Sequence, residues 1–189
     1  MEIITGILSA FGLSASAGLN AYIPLLVVAL LARFTNLIQL SSPWDSLTNG
    51  WIIGILLVLS LIEFFADKIP AINHINDAIQ TFIRPTAGAI VFAASAQVIT
   101  DINPILSLGA GLLVAGGVHM VKSAVIRPVV TATTAGIGDI PFSMAEDFVS
   151  TVLSILSIVL PVLILVLIIL IIIWLSGRRR RKRDHTYTT

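Results

Sequence analysis

The sequence predicts an all-α, polytopic membrane protein, and three observations carry that prediction. The chain has 189 residues, of which 57% are hydrophobic and only 11% charged, against about 25% charged in a soluble domain. This deficit extends over the whole length, so no segment outside the apolar runs is long enough to fold as a separate soluble unit. Phe148 to Gly177 carries no charge and abuts Arg178-Arg179-Arg180-Arg181-Lys182-Arg183. A helix rises about 1.5 Å per residue, so about 20 residues cross the hydrocarbon core, and basic residues beside a span stay on the cytoplasmic side. The expected organisation is one membrane domain over residues 1–177 with about five spans, followed by a basic tail over 178–189. The expected location is the inner (plasma) membrane, multi-pass, with the C-terminus in the cytoplasm.

The elements follow in order. Ile3 to Phe34 is apolar except for Arg33 and is long for one span. Its middle, Gly12-Leu13-Ser14-Ala15-Ser16-Ala17-Gly18-Leu19-Asn20, is built of small and polar residues that allow close helix approach. Pro24 removes the backbone bond to the Asn20 carbonyl, so a kink or break is expected there. Thr35 to Gly50 is a polar connection, with Trp44 and Trp51 suited to an interface. Trp51 to Ala66 is the second span. Pro70 begins a short amphipathic segment, expected to be interfacial or re-entrant, with Ile72, Ile75, Ile79, Phe82 and Ile83 near helical spacing. Arg84-Pro85 opens a third span, Thr86 to Thr100, and Asp101-Ile102-Asn103-Pro104 is a tight turn. The fourth span runs from Ile105 to about Ile126 and closes at Arg127-Pro128. Val129 to Asp147 is a Thr/Gly-rich connection, and the fifth span is the long run, with Pro161 inside it. Five spans and a cytoplasmic C-terminus put the N-terminus outside, which the acidic, lysine-free start Met1-Glu2-Ile3 fits.

An internal echo suggests repeats over 1–100 and 101–177. Ala17-Gly18-Leu19-Asn20 is matched by Ala115-Gly116-Gly117-Val118, and Asp67-Lys68-Ile69-Pro70 by Asp139-Ile140-Pro141. With five spans the two copies would be inverted, a common transporter plan.

Polar residues inside spans are the candidates for function, because a central charge costs at least about 2.5 kcal/mol. Asn20 is either an interhelical hydrogen bond or a ligand contact beside unwound backbone. Glu63 and Asp67 share one helical face, as do His119 and Lys122. Glu63 is expected to face Lys122 or Arg127, as a structural ion pair or, since imidazole titrates near neutral pH, as a gate or proton-linked site. Asp139, Glu146 and Asp147 read as a solvated acidic loop. Arg178, Arg179, Arg180, Arg181, Lys182 and Arg183 read as topogenic, with anionic lipid as their partner rather than nucleic acid. The absence of cysteine excludes disulfides and thiol catalysis. No phosphate loop, nucleophile elbow or His-Glu-x-x-His motif occurs, so no metal, cofactor or enzymatic activity is expected.

Gly12 to Pro24 and Glu63-Phe64-Phe65-Ala66-Asp67-Lys68-Ile69-Pro70, with Ile83-Arg84-Pro85-Thr86-Ala87-Gly88 and Gly116-Gly117-Val118-His119, resemble a bacterial membrane family catalogued as domain of unknown function 4126. The resemblance covers nearly the whole chain apart from the tail and implies a small polytopic protein, with no catalytic or binding residue to carry over. The expected function is a small channel or transporter for an ion or small solute, working as a homo-oligomer. The alternative is a membrane scaffold or assembly factor, and a lipid-modifying enzyme ranks last.

Overall fold

A computed structural model describes residues 2–97 and 103–161, with positions 166 and 170, and the side chains of all of these except residues 2, 3, 70–75 and 97. The basic run Arg178 to Arg183, most of the second half of the predicted fifth span, and residues 98–102 lie outside the described residues. Among the described residues the chain is all helical: α1 (Glu2–Leu19), α2 (Tyr22–Phe34), a short 3-10 turn (Trp44–Thr48), α3 (Gly50–Ala66), α4 (Pro70–Gln97), α5 (Pro104–Val121), a π turn (Lys122–Ile126), α6 (Arg127–Thr134) and α7 (Asp139–Val159).

The expected break falls at Asn20–Ala21, but it reverses the chain rather than kinking it. Leu37 and Ile38, just beyond α2, line a cavity together with Thr5 and Ser9 of α1. A straight helix would hold Thr5 and Leu37 about 48 Å apart. The first apolar stretch is therefore a helical hairpin whose tip is Asn20–Ala21. From that tip α2 runs antiparallel to α3: Ala21 meets Glu63, and Arg33 donates to the Thr48 carbonyl just ahead of α3 at 2.7 Å.

Helix α1 lies at the centre, packed on α4, α5 and α7, with Ala10, Leu13 and Ala17 fully buried. Its neighbours approach closely because their facing residues are small. A Cβ on Gly18 would lie 2.6 Å from the Ala115 carbonyl, and one on Gly88 would lie 2.9 Å from Ser14 Oγ. Ser14 donates to the Gly111 carbonyl at 2.7 Å, and Lys122 donates to the Leu19 carbonyl at 3.1 Å. Residue numbers rise together along this contact, so α1 and α5 run parallel. That corrects the inverted pairing: the two similar segments face each other across one interface and point the same way.

Three further boundaries differ from expectation. The segment from Pro70 and the third span form one helix, α4, which passes through Pro85. A proline removes a single backbone bond, and α4 is anchored on both sides of it, by Arg84 on Glu63 and by Gly88 against α5. The fourth span does not close at Arg127-Pro128. The π turn passes the Arg127 N–H to the Lys122 carbonyl, five residues back, and Pro128 sits in the first turn of α6, where a missing N–H is tolerated. The presumed connection Val129 to Asp147 is mostly helical. Only the turn between α6 and α7 is not, where Ala135 (φ 51°) and Gly136 (φ 85°) take the left-handed conformation. Asp139, Glu146 and Asp147 are thus on α7 and not in a loop. That helix ends at Val159, ahead of Pro161.

Pro104–Thr134 and Asp139–Val159 are each long and apolar enough to cross a membrane. Beside an apolar core, the fold buries charged side chains, which are rarely fully buried unless paired, and exposes many large apolar ones. Trp51 is 85% exposed, and Phe82, Ile105, Leu113 and Ile137 are also outside, whereas Arg84, Glu63 and Lys122 are 1% exposed or less.

Candidate functional site

The tip of the α1–α2 hairpin leaves backbone groups without helical partners, and side chains from distant elements take them. Asn20 Oδ1 accepts from the N–H groups of Tyr22 and Ile23, both at 3.1 Å, and Asn20 Nδ2 donates to Asp147 Oδ1 at 2.9 Å. Glu63 accepts from the Ala21 N–H at 3.2 Å. At the other side of the break Lys122 Nζ holds the Leu19 carbonyl. An anion therefore sits at the N-terminus of α2 and a cation at the C-terminus of α1, which is the arrangement that both helix dipoles favour.

A buried layer of ion pairs spreads outward from this tip. Arg84 binds Glu63 through Nη2 at 2.9 Å and Nε at 3.2 Å, and reaches Asp67 at 3.5 Å. Arg127 pairs with Asp67 at 3.3 Å, with Asp77 at 2.7 Å and with Glu146 at 3.5 Å. Lys122 pairs with Glu146 at 2.8 Å, and Lys68 with Asp147 at 3.1 Å. A guanidinium can only donate, so in its 3.2 Å contact with Arg84 the Nδ1 of His119 accepts. Nε2 then carries the proton and donates to Thr81 Oγ1 at 3.2 Å, while Thr81 donates to the Asp77 carbonyl. His119 is thus a neutral link in a hydrogen-bond chain, and the charges are carried by its neighbours.

The sequence brought forward most of these residues but paired them differently. Glu63 does not face Lys122 or Arg127 directly: its partner is Arg84, which the sequence reading treated only as the boundary of a span. Arg84 lies on the α4 face of Asp77, Gln80, Ala87 and Val91, a helical spacing that points it inward. Asn20, Glu63, Asp67, His119, Lys122, Arg127, Glu146 and Asp147 all come together. Asp139 stands apart, accepting from Thr131 at 2.8 Å. A face of serines on α7, Ser143, Ser150, Ser154 and Ser157, each at most 1% exposed, was missed although its spacing is that of one helix face.

Above the layer, Asp77, Arg127, Ser123, Thr131 and Asp139 line an open cleft of about 750 Å³. The carboxylate oxygen Glu146 Oε1 and the amide oxygen Gln80 Oε1 are buried without a hydrogen-bond partner. Among the described residues no three His, Asp or Glu side chains are grouped to hold a metal ion.

A family model described as a domain of unknown function (DUF4126) matches residues 7–179, in agreement with the resemblance drawn from the motifs. No curated protein and no solved structure matches the chain.

Proposed function

Since this chain belongs to the DUF4126 family, whose description names no activity, we propose its function from its own geometry: a membrane-embedded channel or transporter for an ion or small solute. Membrane embedding is supported by an apolar exterior around a charged interior, because extensive exposed apolar surface marks a lipid or protein contact. In this reading α1–α2 is a re-entrant hairpin, α3, α4, α5–α6 and α7 cross the inner membrane, and the basic tail stays in the cytoplasm beside anionic lipid.

The observation that carries transport is the broken hairpin, with its two backbone ends meeting inside the charge layer, held by Glu63 and Lys122. Transporter sites are typically built where helices break near the midplane, so that backbone and paired side chains can exchange partners with a solute. The cleft over Arg127 and Asp77 is the approach to that layer. Gly109 and Gly117 on α5 have open space beside them and suit close approach of a second copy, so the working form is a homo-oligomer.

Flux of protons, sodium and potassium into liposomes holding the purified protein tests this reading. Transport is expected to be lost in Lys122→Ala and reduced in Glu63→Gln. A wild-type protein that moves none of these ions and no organic solute would favour the scaffold instead.

A further inference from the structure

Helix α7 buries a face of hydroxyls against α1, and the hydroxyls are joined. Ser16 Oγ lies 2.7 Å from Ser150 Oγ and 2.7 Å from Ser154 Oγ. Ser154 donates back to the Ser150 carbonyl at 2.8 Å, and all three side chains are fully buried. One turn toward the hairpin tip lies Asp147, bound to Asn20. Ser157 continues the face in the other direction, where its hydroxyl donates to the Leu153 carbonyl, and its neighbour Ile158 lines a second cavity, about 220 Å³, with Ser9, Leu37 and Ser95.

Two observations outside the Ser16–Ser150–Ser154 cluster mark the two ends of this seam. Ser95 Oγ, on a residue only 7% exposed, has no hydrogen-bond partner and lines the cavity. At the other end Glu146 Oε1 is buried without a partner. Glu146 is faced by Lys122 from the π turn, Arg127 from α6 and Arg84 from α4, with Asp67 beyond Arg127 and Asp147 beside it on α7. A buried polar atom that forgoes a bond is costly, and each of these two stands where a mobile proton or water would supply one.

We infer that the transported species is the proton, and that its route from the charge layer to the far end of the bundle is the hydroxyl seam between α1 and α7. This rests on the transport reading above and narrows its substrate. Serine hydroxyls at contact distance leave no space for a hydrated ion or an organic solute. A hydroxyl, however, both donates and accepts. Within the cluster each one takes a proton on its oxygen and releases its own to the next hydroxyl. To pass a proton on, Ser154 must turn its O–H away from the Ser150 carbonyl, which relays none, toward Ser157, and rotation of the hydroxyls then resets the chain. The steps from Asp147 to Ser150 and from Ser154 to Ser157 each span one helical turn, about 5–6 Å between Cβ atoms, and each needs a bridging water.

The test uses the full chain in liposomes, with a pH-sensitive dye inside and a potassium diffusion potential as the drive. Wild-type protein is expected to acidify the vesicles while moving neither sodium nor potassium. Ser16→Ala and Ser154→Ala are expected to fall to the rate of empty vesicles. Ser95→Ala, which removes a hydroxyl that bonds nothing in the fold, is expected to slow the flux without lowering the melting temperature. Ser46→Ala, on an exposed connection, keeps the full rate. Sodium, potassium or solute flux without proton flux overturns the proton route but leaves transport standing. Proton flux unchanged in all three seam variants overturns the seam. No flux of any species overturns both.

Discussion

Two interruptions near a proline, one at each end of the charge layer's central contact, behave differently. At Asn20–Ala21, with Pro24 following, the helix breaks and the chain turns back. At Lys122–Ile126, with Pro128 following, the hydrogen-bond register slips by one residue and the helix continues. The difference lies in what surrounds each site. At the first, Asn20, Glu63 and Lys122 supply partners for the freed backbone groups. At the second, the widened turn satisfies the Arg127 N–H internally. A proline licenses a break, and side chains from elsewhere decide whether one occurs.

The largest effect is therefore expected where the break depends on distant partners. Arg84→Met leaves Glu63 buried without its cation and should cost about 3–5 kcal/mol, read by denaturant unfolding in detergent. Replacing both, Glu63→Met with Arg84→Met, should recover much of that loss, and a double variant as unstable as the single one would refute the pairing. Next comes Asn20→Ala, which strips the hairpin tip itself. Each group left unsatisfied should cost about 1–3 kcal/mol, and an unchanged melting curve would show that water replaces the side chain. On the helix that slips but does not break, packing matters more than polar partners. Gly111→Ala should cost about 1–3 kcal/mol by overpacking, because its Cβ would meet Ala89 and Phe92. Gly109→Ala, with open space beside it, should be neutral or gain up to about 1 kcal/mol in helix propensity. The smallest effect belongs to Pro128→Ala, within about 1 kcal/mol, since the π turn already accommodates the missing N–H. A larger loss would place the proline at the origin of the slip.

The helical class, the apolar runs and the break near Asn20 were legible, since each follows from local composition or from one proline. The reversal at Asn20 was not, because it depends on residues far along the chain. Arg84 was overlooked because an Arg-Pro pair at the start of an apolar run looks like the edge of a span. The continuity of α4 through Pro85 turned that edge into an interior position. Counting crossings from a presumed five also produced the inverted repeat, and a hairpin in place of one span removes its premise. The serine face of α7 was readable from its spacing, but small hydroxyls in an apolar run pass for ordinary helix packing.

The hairpin tip also sets an order of events. Glu63 lies 42 residues after Ala21, Lys122 lies 103 after Leu19, and Asp147 lies 127 after Asn20. While the ribosome is still making the second half, the first apolar stretch has Glu63 for its tip but neither Lys122 nor Asp147. It must wait unbroken, or bend with only part of its support, until α5 and α7 arrive. The first segment synthesised is therefore the last to reach its final shape, and chains arrested before Lys122 should show positions 5 and 37 much farther apart than the finished protein does.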